Sequence, residues 1–255
     1  MGRTMKIAAG VTMLEVSMGL MGNLIRICPT LLWDDDTVLL IDAGAPLPKI
    51  RDAINAAGVP FEKLNKVILT HQDLDHIGGL PTILAQAPQK IEVLAHEAEK
   101  PYIQGDLPLI KLSAERMAQI RKQLDLLPDE QRAALKSAFE NPPRAKVDRT
   151  VADGEELPYC GGVVVIHTPG HTPGHICLYH QPSKTLISGD ALNVVDGGLV
   201  GPVPQYTQDL DLAVKSLQKL AKYDVANVIC SHGGYYKGDA NRRIAELAGN
   251  IVRDS

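Results

Sequence analysis

Cysteine is scarce in this chain of 255 residues: there are four, Cys28, Cys160, Cys177 and Cys230, and no two form a C-x-x-C pair. Scattered thiols suit reduced core residues and argue against a disulfide-stapled fold. Blocks of like charge are also missing. With 26 basic and 30 acidic residues the net charge is −4, which argues against nucleic acid as a partner, since phosphate binding draws on concentrated Lys and Arg. No apolar run approaches the ~20 residues needed to span a bilayer, so no membrane role is expected. Arg3 and Lys6 precede an apolar stretch, but Glu15 interrupts it and no small-residue cleavage site follows. A cytoplasmic protein is expected. Apolar content of 45% and charged content of 22% describe an ordinary globular chain, long enough for a full core.

What the chain does have is a dense polar cluster. Val67-Ile68-Leu69 reads as a short buried strand, and Thr70-His71-Gln72-Asp73-Leu74-Asp75-His76-Ile77-Gly78-Gly79 follows directly. Four metal-ligand side chains, His71, Asp73, Asp75 and His76, fall within six positions. Alternate spacing lets side chains of an extended turn converge on one point. A surface turn is the bland alternative, but a buried carboxylate cluster with no cation is costly, which favours metal.

The flanking pattern places this cluster in a sheet protein. Apolar runs at residues 7–13, 24–27, 30–33 and 38–41 predict an opening antiparallel sheet, its last strand ending in Asp42-Ala43-Gly44. Asp42 is read equally well as a turn cap. Ile50, Ala53, Ile54 and Ala57 form a helical stripe. A strand over 91–95 ends at His96, read as a packed histidine rather than a ligand. Residues 97–148 turn helical, with one helix after Ser113 (Met117, Ile120, Leu124 and Leu127 on one face) and a second over 129–140. This insert is either a packed hairpin or an apolar cover over the site. Strands are then predicted over 162–166, 176–179 and 185–188, a helix over 210–223, a strand over 228–230 and a last helix from about Ala240. Cys230 continues its strand's apolar run and is read as core.

Further ligand types stand at these strand ends. The strand over 162–166 runs into His167-Thr168-Pro169-Gly170-His171-Thr172-Pro173-Gly174-His175; another ends in Ser188-Gly189-Asp190; a third ends in Ser231-His232-Gly233. Of eight histidines, four lie just beyond apolar runs, where sheet proteins place functional loops. His71, Asp73, Asp75, His76, His171, Asp190 and His232 make a set too large for one tetrahedral zinc; it suits two metals.

The order of these motifs, from Asp42-Ala43-Gly44 to Ser231-His232-Gly233, resembles the metallo-β-lactamase superfamily over nearly the whole chain. The resemblance implies an α/β class fold, an αββα sandwich formed by one domain over 1–255, with the helical insert at 97–148 within it. It implies that His71, Asp73 and His171 hold one metal, that Asp75, His76 and His232 hold a second, and that Asp190 bridges. It implies two divalent cations, zinc first with manganese or iron as alternatives, and a bridging hydroxide that Asp75 helps orient as the catalytic carboxylate. The family motif is H-x-H-x-D-H, and Asp73 stands where its second histidine is expected; a harder ligand there moves iron and manganese closer to zinc. The implied activity is hydrolysis of a small-molecule ester, foremost a lactone of the acyl-homoserine type. The alternatives are a thioesterase of glyoxalase II type and an iron-dependent oxidoreductase or dioxygenase. Tyr102, Tyr206, Tyr235 and Tyr236 are candidate phenol donors to substrate, with half-buried packing the default for each taken singly. The sequence leaves a homodimer open.

Overall fold

The computed structural model describes residues 3–20, 23–113, 117, 118, 122, 139 and 141–249. β1 (Arg3–Ala8) and β2 (Val11–Leu20) form a hairpin, and β2 pairs antiparallel with both β3 (Asn23–Ile27) and β4 (Thr30–Trp33). β5 (Val38–Ile41) lies antiparallel to β4. After α1 (Leu47–Ala56) come β6 (Lys66–Leu69), the single turn α2 (Leu74–Ile77), α3 (Leu80–Gln86), β7 (Glu92–His96), α4 (Lys100–Gln104) and β8 (Arg149–Val151). β5, β6, β7 and β8 run parallel as neighbours.

The second sheet comprises β9 (Glu156–Leu157), β10 (Val163–His167), β11 (Ile176–His180) and β12 (Thr185–Ile187). Next come the separate hairpin β13 (Asn193–Val195) and β14 (Gly198–Val200), α5 (Leu210–Leu220), β15 (Asn227–Cys230), β16 (Gly234–Tyr236) and α6 (Ala240–Gly249). The strand order is β16-β15-β12-β11-β10-β9, with β12 and β15 parallel.

Each central strand is buried on both faces, which is why it reads as an unbroken apolar run. In β5, Val38 and Leu40 face α1 and α3, whereas Leu39 and Ile41 face the other sheet. β10 behaves likewise: Val163 and Val165 join the layer between the sheets, and Val164 and Ile166 pack beneath α5 and α6. The result is helices, sheet, sheet, helices. This is the expected αββα sandwich.

Two expectations need correction. The run over 7–13 is not one strand: the chain reverses at Ala9-Gly10, where Gly10 has φ +68° and an added Cβ would lie 2.5 Å from the Trp33 carbonyl oxygen. The hairpin of β13 and β14 was not anticipated, although Asp196-Gly197, both at positive φ, is the sequence signature of a two-residue turn. The two helices expected within the insert fall almost wholly outside the described residues. No described helix is long and apolar enough to cross a membrane. All four cysteines are buried and unpaired, and burial pushes each thiol up to about 12.

Strand direction positions the site. β5, β6 and β7 deliver Asp42, residues 70–76 and His96 to one edge; β10, β12 and β15 deliver residues 168–175, Asp190 and His232 to the facing edge. A backbone bond from Ile176 N to Thr70 O, 3.0 Å, joins the two sheets there. The strand exit at Asp42-Ala43-Gly44 lies hard against α2: Ala43 N donates to His76 O at 2.7 Å, and a Cβ on Gly44 would sit 1.6 Å from the Asp75 carbonyl oxygen. Gly44→Ala must therefore push α2 aside. It should lower the unfolding free energy at or above the upper end of roughly 1–3 kcal/mol. Gly19→Ala, where the added Cβ meets nothing within 4 Å, should be nearly neutral. Urea denaturation of both variants is the check, and equal midpoints would refute the close approach.

Candidate metal centre

His71 and Asp73 project from the extended segment leaving β6, whereas Asp75 and His76 stand on the helical turn α2. The motif is thus half extended and half helical, rather than one extended turn. Its two halves feed two groups of ligand atoms: His71, Asp73, His171 and Asp190 in one, and Asp75, His76 and His232 in the other.

In the first group Asp73 Oδ2 lies 3.1 Å from both His71 Nε2 and His171 Nε2, and His171 Nε2 lies 3.4 Å from Asp190 Oδ2. In the second, His232 Nε2 lies 3.1 Å from Asp75 Oδ2, and His76 Nε2 lies 3.7 Å from the same oxygen. Asp190 reaches both groups, since its Oδ1 is 3.3 Å from His76 Nε2 and its Oδ2 is 3.5 Å from His232 Nε2. The family resemblance implies a bridging role for this carboxylate, and its two oxygens lie within reach of both groups.

The imidazoles are oriented from behind. His76 Nδ1–H donates to Asp42 Oδ2 at 2.8 Å, and Thr70 donates to the same carboxylate from its backbone N and its hydroxyl. Among the described residues Asp42 therefore caps no turn of its own: its carboxylate ties the exit of β6 to that of β5 and holds His76. His71 Nδ1 lies 3.0 Å from Thr70 Oγ1. With their Nδ1 atoms engaged outward, these rings aim Nε2 into the centre, the arrangement by which a carboxylate or hydroxyl fixes a ligand's tautomer. His175 acts from the other side: its Nδ1 meets Thr168 Oγ1 at 2.8 Å and its Nε2 accepts from Asp190 N at 3.0 Å. Burial first, and then the imidazoles of His71 and His171 beside it, hold His175 well below the usual imidazole range, in keeping with its Nε2 accepting from Asp190 N.

Buried polar atoms almost always find a hydrogen bond. Here His71 Nε2, His76 Nε2 and Asp190 Oδ1 are buried and make none. Two of these atoms come from the segment after β6 and one from the loop after β12, they gather in one polar space, and a cation is what would satisfy them. The electrostatics agree. Burial works to raise Asp73 and Asp190, yet the histidines beside them hold both well below the carboxylate range. Burial works to lower His232, and Asp190 and Asp75 lift it to about 10. The residues present fit a divalent-metal pair.

Three contributors went unread in the sequence. Glu99, fully buried, accepts from Gln72 N and Nε2 on Oε2, and from Thr172 Oγ1 and Gly174 N on Oε1, all at 2.7–3.0 Å. It ties the loop carrying His71 and Asp73 to the loop carrying His171. His175 was seen only as part of a motif. Lys111 is the third; it comes from the 3-10 turn Ile110–Leu112. A buried Glu after a strand has no sequence signal of its own, and Lys111 meets Asp73 from 38 positions away.

The candidate tyrosines divide. Tyr206 is 58% exposed beside Thr207, whose hydroxyl lies 3.5 Å from His171 Nδ1. Tyr102 lines a cleft of about 260 Å³ with Leu109, Pro142 and Arg144. Tyr235 and Tyr236 are corrected: β16 runs away from His232, so the Tyr235 hydroxyl donates to Asn227 at the far end of β15, and Tyr236 packs into the layer under α6. His96 stacks on His167 at 4.1 Å between centroids and stays outside the ligand groups, as expected.

Fold and site together define a protein with an αββα sandwich and a candidate metal centre at one edge. The sequence profile of the metallo-beta-lactamase superfamily matches residues 29–232, and the chain belongs to that superfamily. It is 28% identical over 235 residues to the probable metallo-hydrolase YflN of Bacillus subtilis (strain 168), covering 84% of this chain and 82% of that one. It is 27% identical over 224 residues to the acyl-coenzyme A thioesterase MBLAC2 of Gallus gallus, covering 84% and 74%. A metallo-beta-lactamase family protein of Thermus thermophilus superposes with a TM-score of 0.67 at 24% identity, over 96% of this chain and 80% of that one.

Glu99 and Asp42 should separate stability from metal binding. Glu99→Gln turns one oxygen into a donor facing buried donors, and should cost about 2–3 kcal/mol in unfolding free energy. Asp42→Asn disturbs the Nδ1 partner of His76 and should weaken metal binding roughly 10–100-fold. Denaturation curves and metal titrations of both variants test this; an Asp42→Asn protein with unchanged affinity would remove Asp42 from the centre.

Proposed function

We propose that this chain is a metal-dependent hydrolase of ester-type acyl bonds, with thioesters and lactones as its substrate classes. The observation that carries the reading is the pair of ligand groups sharing Asp190, with their unsatisfied Nε2 and Oδ1 atoms aimed inward. His71, Asp73 and His171 would hold one divalent cation, Asp75, His76 and His232 the other, with Asp190 between them. When bound, such a pair lowers the pKa of a water and polarises a carbonyl. Asp75, the partly exposed carboxylate of the set, orients that water. No serine or cysteine nucleophile is required. Zinc suits the imidazoles, and the three carboxylates favour manganese or iron more than the usual donor set does.

Substrate class follows from shape and charge. Pro108, Leu109, Leu112, Met117, Phe139 and Pro142, with Arg144, line a cleft of about 420 Å³. Leu112 follows Lys111, which touches Asp73, so the segment that forms part of the cleft wall is continuous with the turn that reaches the centre. Its apolar lining suits an acyl chain. The Gallus gallus relative is an acyl-coenzyme A thioesterase, which supports thioesters, and the Asp-for-His exchange adds a negative charge to the donor set, which disfavours anionic phosphodiesters. The protein is read as acting on a small molecule in the cytoplasm.

A kinetic panel of acyl-coenzyme A and glutathione thioesters, acyl-homoserine lactones, p-nitrophenyl acyl esters and bis(p-nitrophenyl) phosphate tests this. Turnover should be confined to the carboxyl esters and thioesters, and should fall on the order of 100-fold or more on chelation, recovering with zinc or manganese. Chelator-insensitive turnover, preference for the phosphodiester, or oxygen uptake without hydrolysis would overturn the reading.

A further inference from the structure

The group that faces the Asp73 subsite is a cation of the chain itself. Lys111 Nζ donates a hydrogen bond to Asp73 Oδ2 and a second, 3.0 Å long, to His171 Nε2. These are two of the donor atoms that a metal in that subsite would need. The lysine is not there by the chance sweep of a surface side chain. Ile110 N donates to Gln72 Oε1 at 2.7 Å, and Gln72 is itself held twice by Glu99. That chain of bonds seats the turn carrying Lys111 against the loop carrying Asp73. Neither Asp75, His76 nor His232 has a lysine or arginine partner among the described residues.

Charge balance points the same way. Asp73, Asp75 and Asp190 carry three negative charges, and one divalent cation together with one ammonium neutralises them. A second divalent cation beside the ammonium leaves an excess of positive charge even after a hydroxide is added. Like charges a few ångströms apart in a buried site repel strongly.

We propose that Lys111 is a built-in counter-cation of the Asp73 subsite, so that metal loads in order: tightly at Asp75, His76 and His232, and weakly at His71, Asp73 and His171 until Lys111 is displaced. This deepens the metal-dependent reading above and rests on it. Lys111 is a positioning residue for metal occupancy. Its side chain is 31% exposed, so it has somewhere to go when the second ion enters. The exchange of the family's histidine for Asp73 and the presence of Lys111 then belong together, since a neutral imidazole at that position would give the ammonium no counter-charge.

The test is zinc titration of the full, chelator-stripped chain by calorimetry, with elemental analysis of the loaded protein as a second readout. Wild type should show one tight site and a second on the order of 100-fold weaker. Lys111→Met keeps the length of the side chain without its charge, and should tighten the weak site by roughly 10–100-fold, giving two equivalents on analysis. Lys111→Arg should keep the wild-type pattern. Two equally tight sites in wild type, or an unchanged weak site in Lys111→Met with a native melting curve, would overturn the role of Lys111 and leave the metal-dependent reading standing. Absence of any binding would overturn both.

Discussion

The constraint on which this structure depends is the cost of burying carboxylates. Asp42, Asp73, Glu99 and Asp190 are all buried, and a carboxylate taken out of water without partners is costly. The fold meets this in two ways. Asp42 and Glu99 are satisfied by the protein: hydroxyl, imidazole and backbone donors for one, backbone, amide and hydroxyl donors for the other. Asp73 is left with imidazoles and an ammonium around it, and Asp190 with imidazoles and one oxygen that makes no hydrogen bond. The first pair makes the frame and the second makes the site. Removing the frame would leave the site's histidines free to turn, which is why the outer carboxylates matter as much as the inner ones.

Much of this was legible before any coordinates. Apolar runs buried on both faces announce central strands, and ligand residues immediately after such runs announce an edge where loops converge. That logic placed His71, His76, His171, Asp190 and His232 together. It failed where contacts cross the chain. Glu99 gathers donors from residues 27 to 75 positions away, and no periodicity marks a residue whose partners are that remote. It failed also where nearness in sequence stood in for nearness in space: Tyr235 and Tyr236 follow His232 closely, but β16 turns back antiparallel and carries them off. The hairpin at Asp196-Gly197 was a different kind of miss, since its signal was present and unread.

The exchange at position 73 shows how a single ligand alters its surroundings. A histidine there would be a neutral ligand needing only a partner for its other nitrogen. A carboxylate brings a buried charge that must be balanced whether or not metal is present, and the balance has to come from somewhere within a few ångströms. Lys111 supplies it from a segment that otherwise belongs to the apolar cleft. The insert is thereby joined to the centre by charge as well as by packing. Leu112, which lines the cleft, is the residue next to Lys111, so the turn that carries the ammonium also forms part of the cleft wall. A centre built this way has its charge balance set from the insert as well as from the loops at the strand ends.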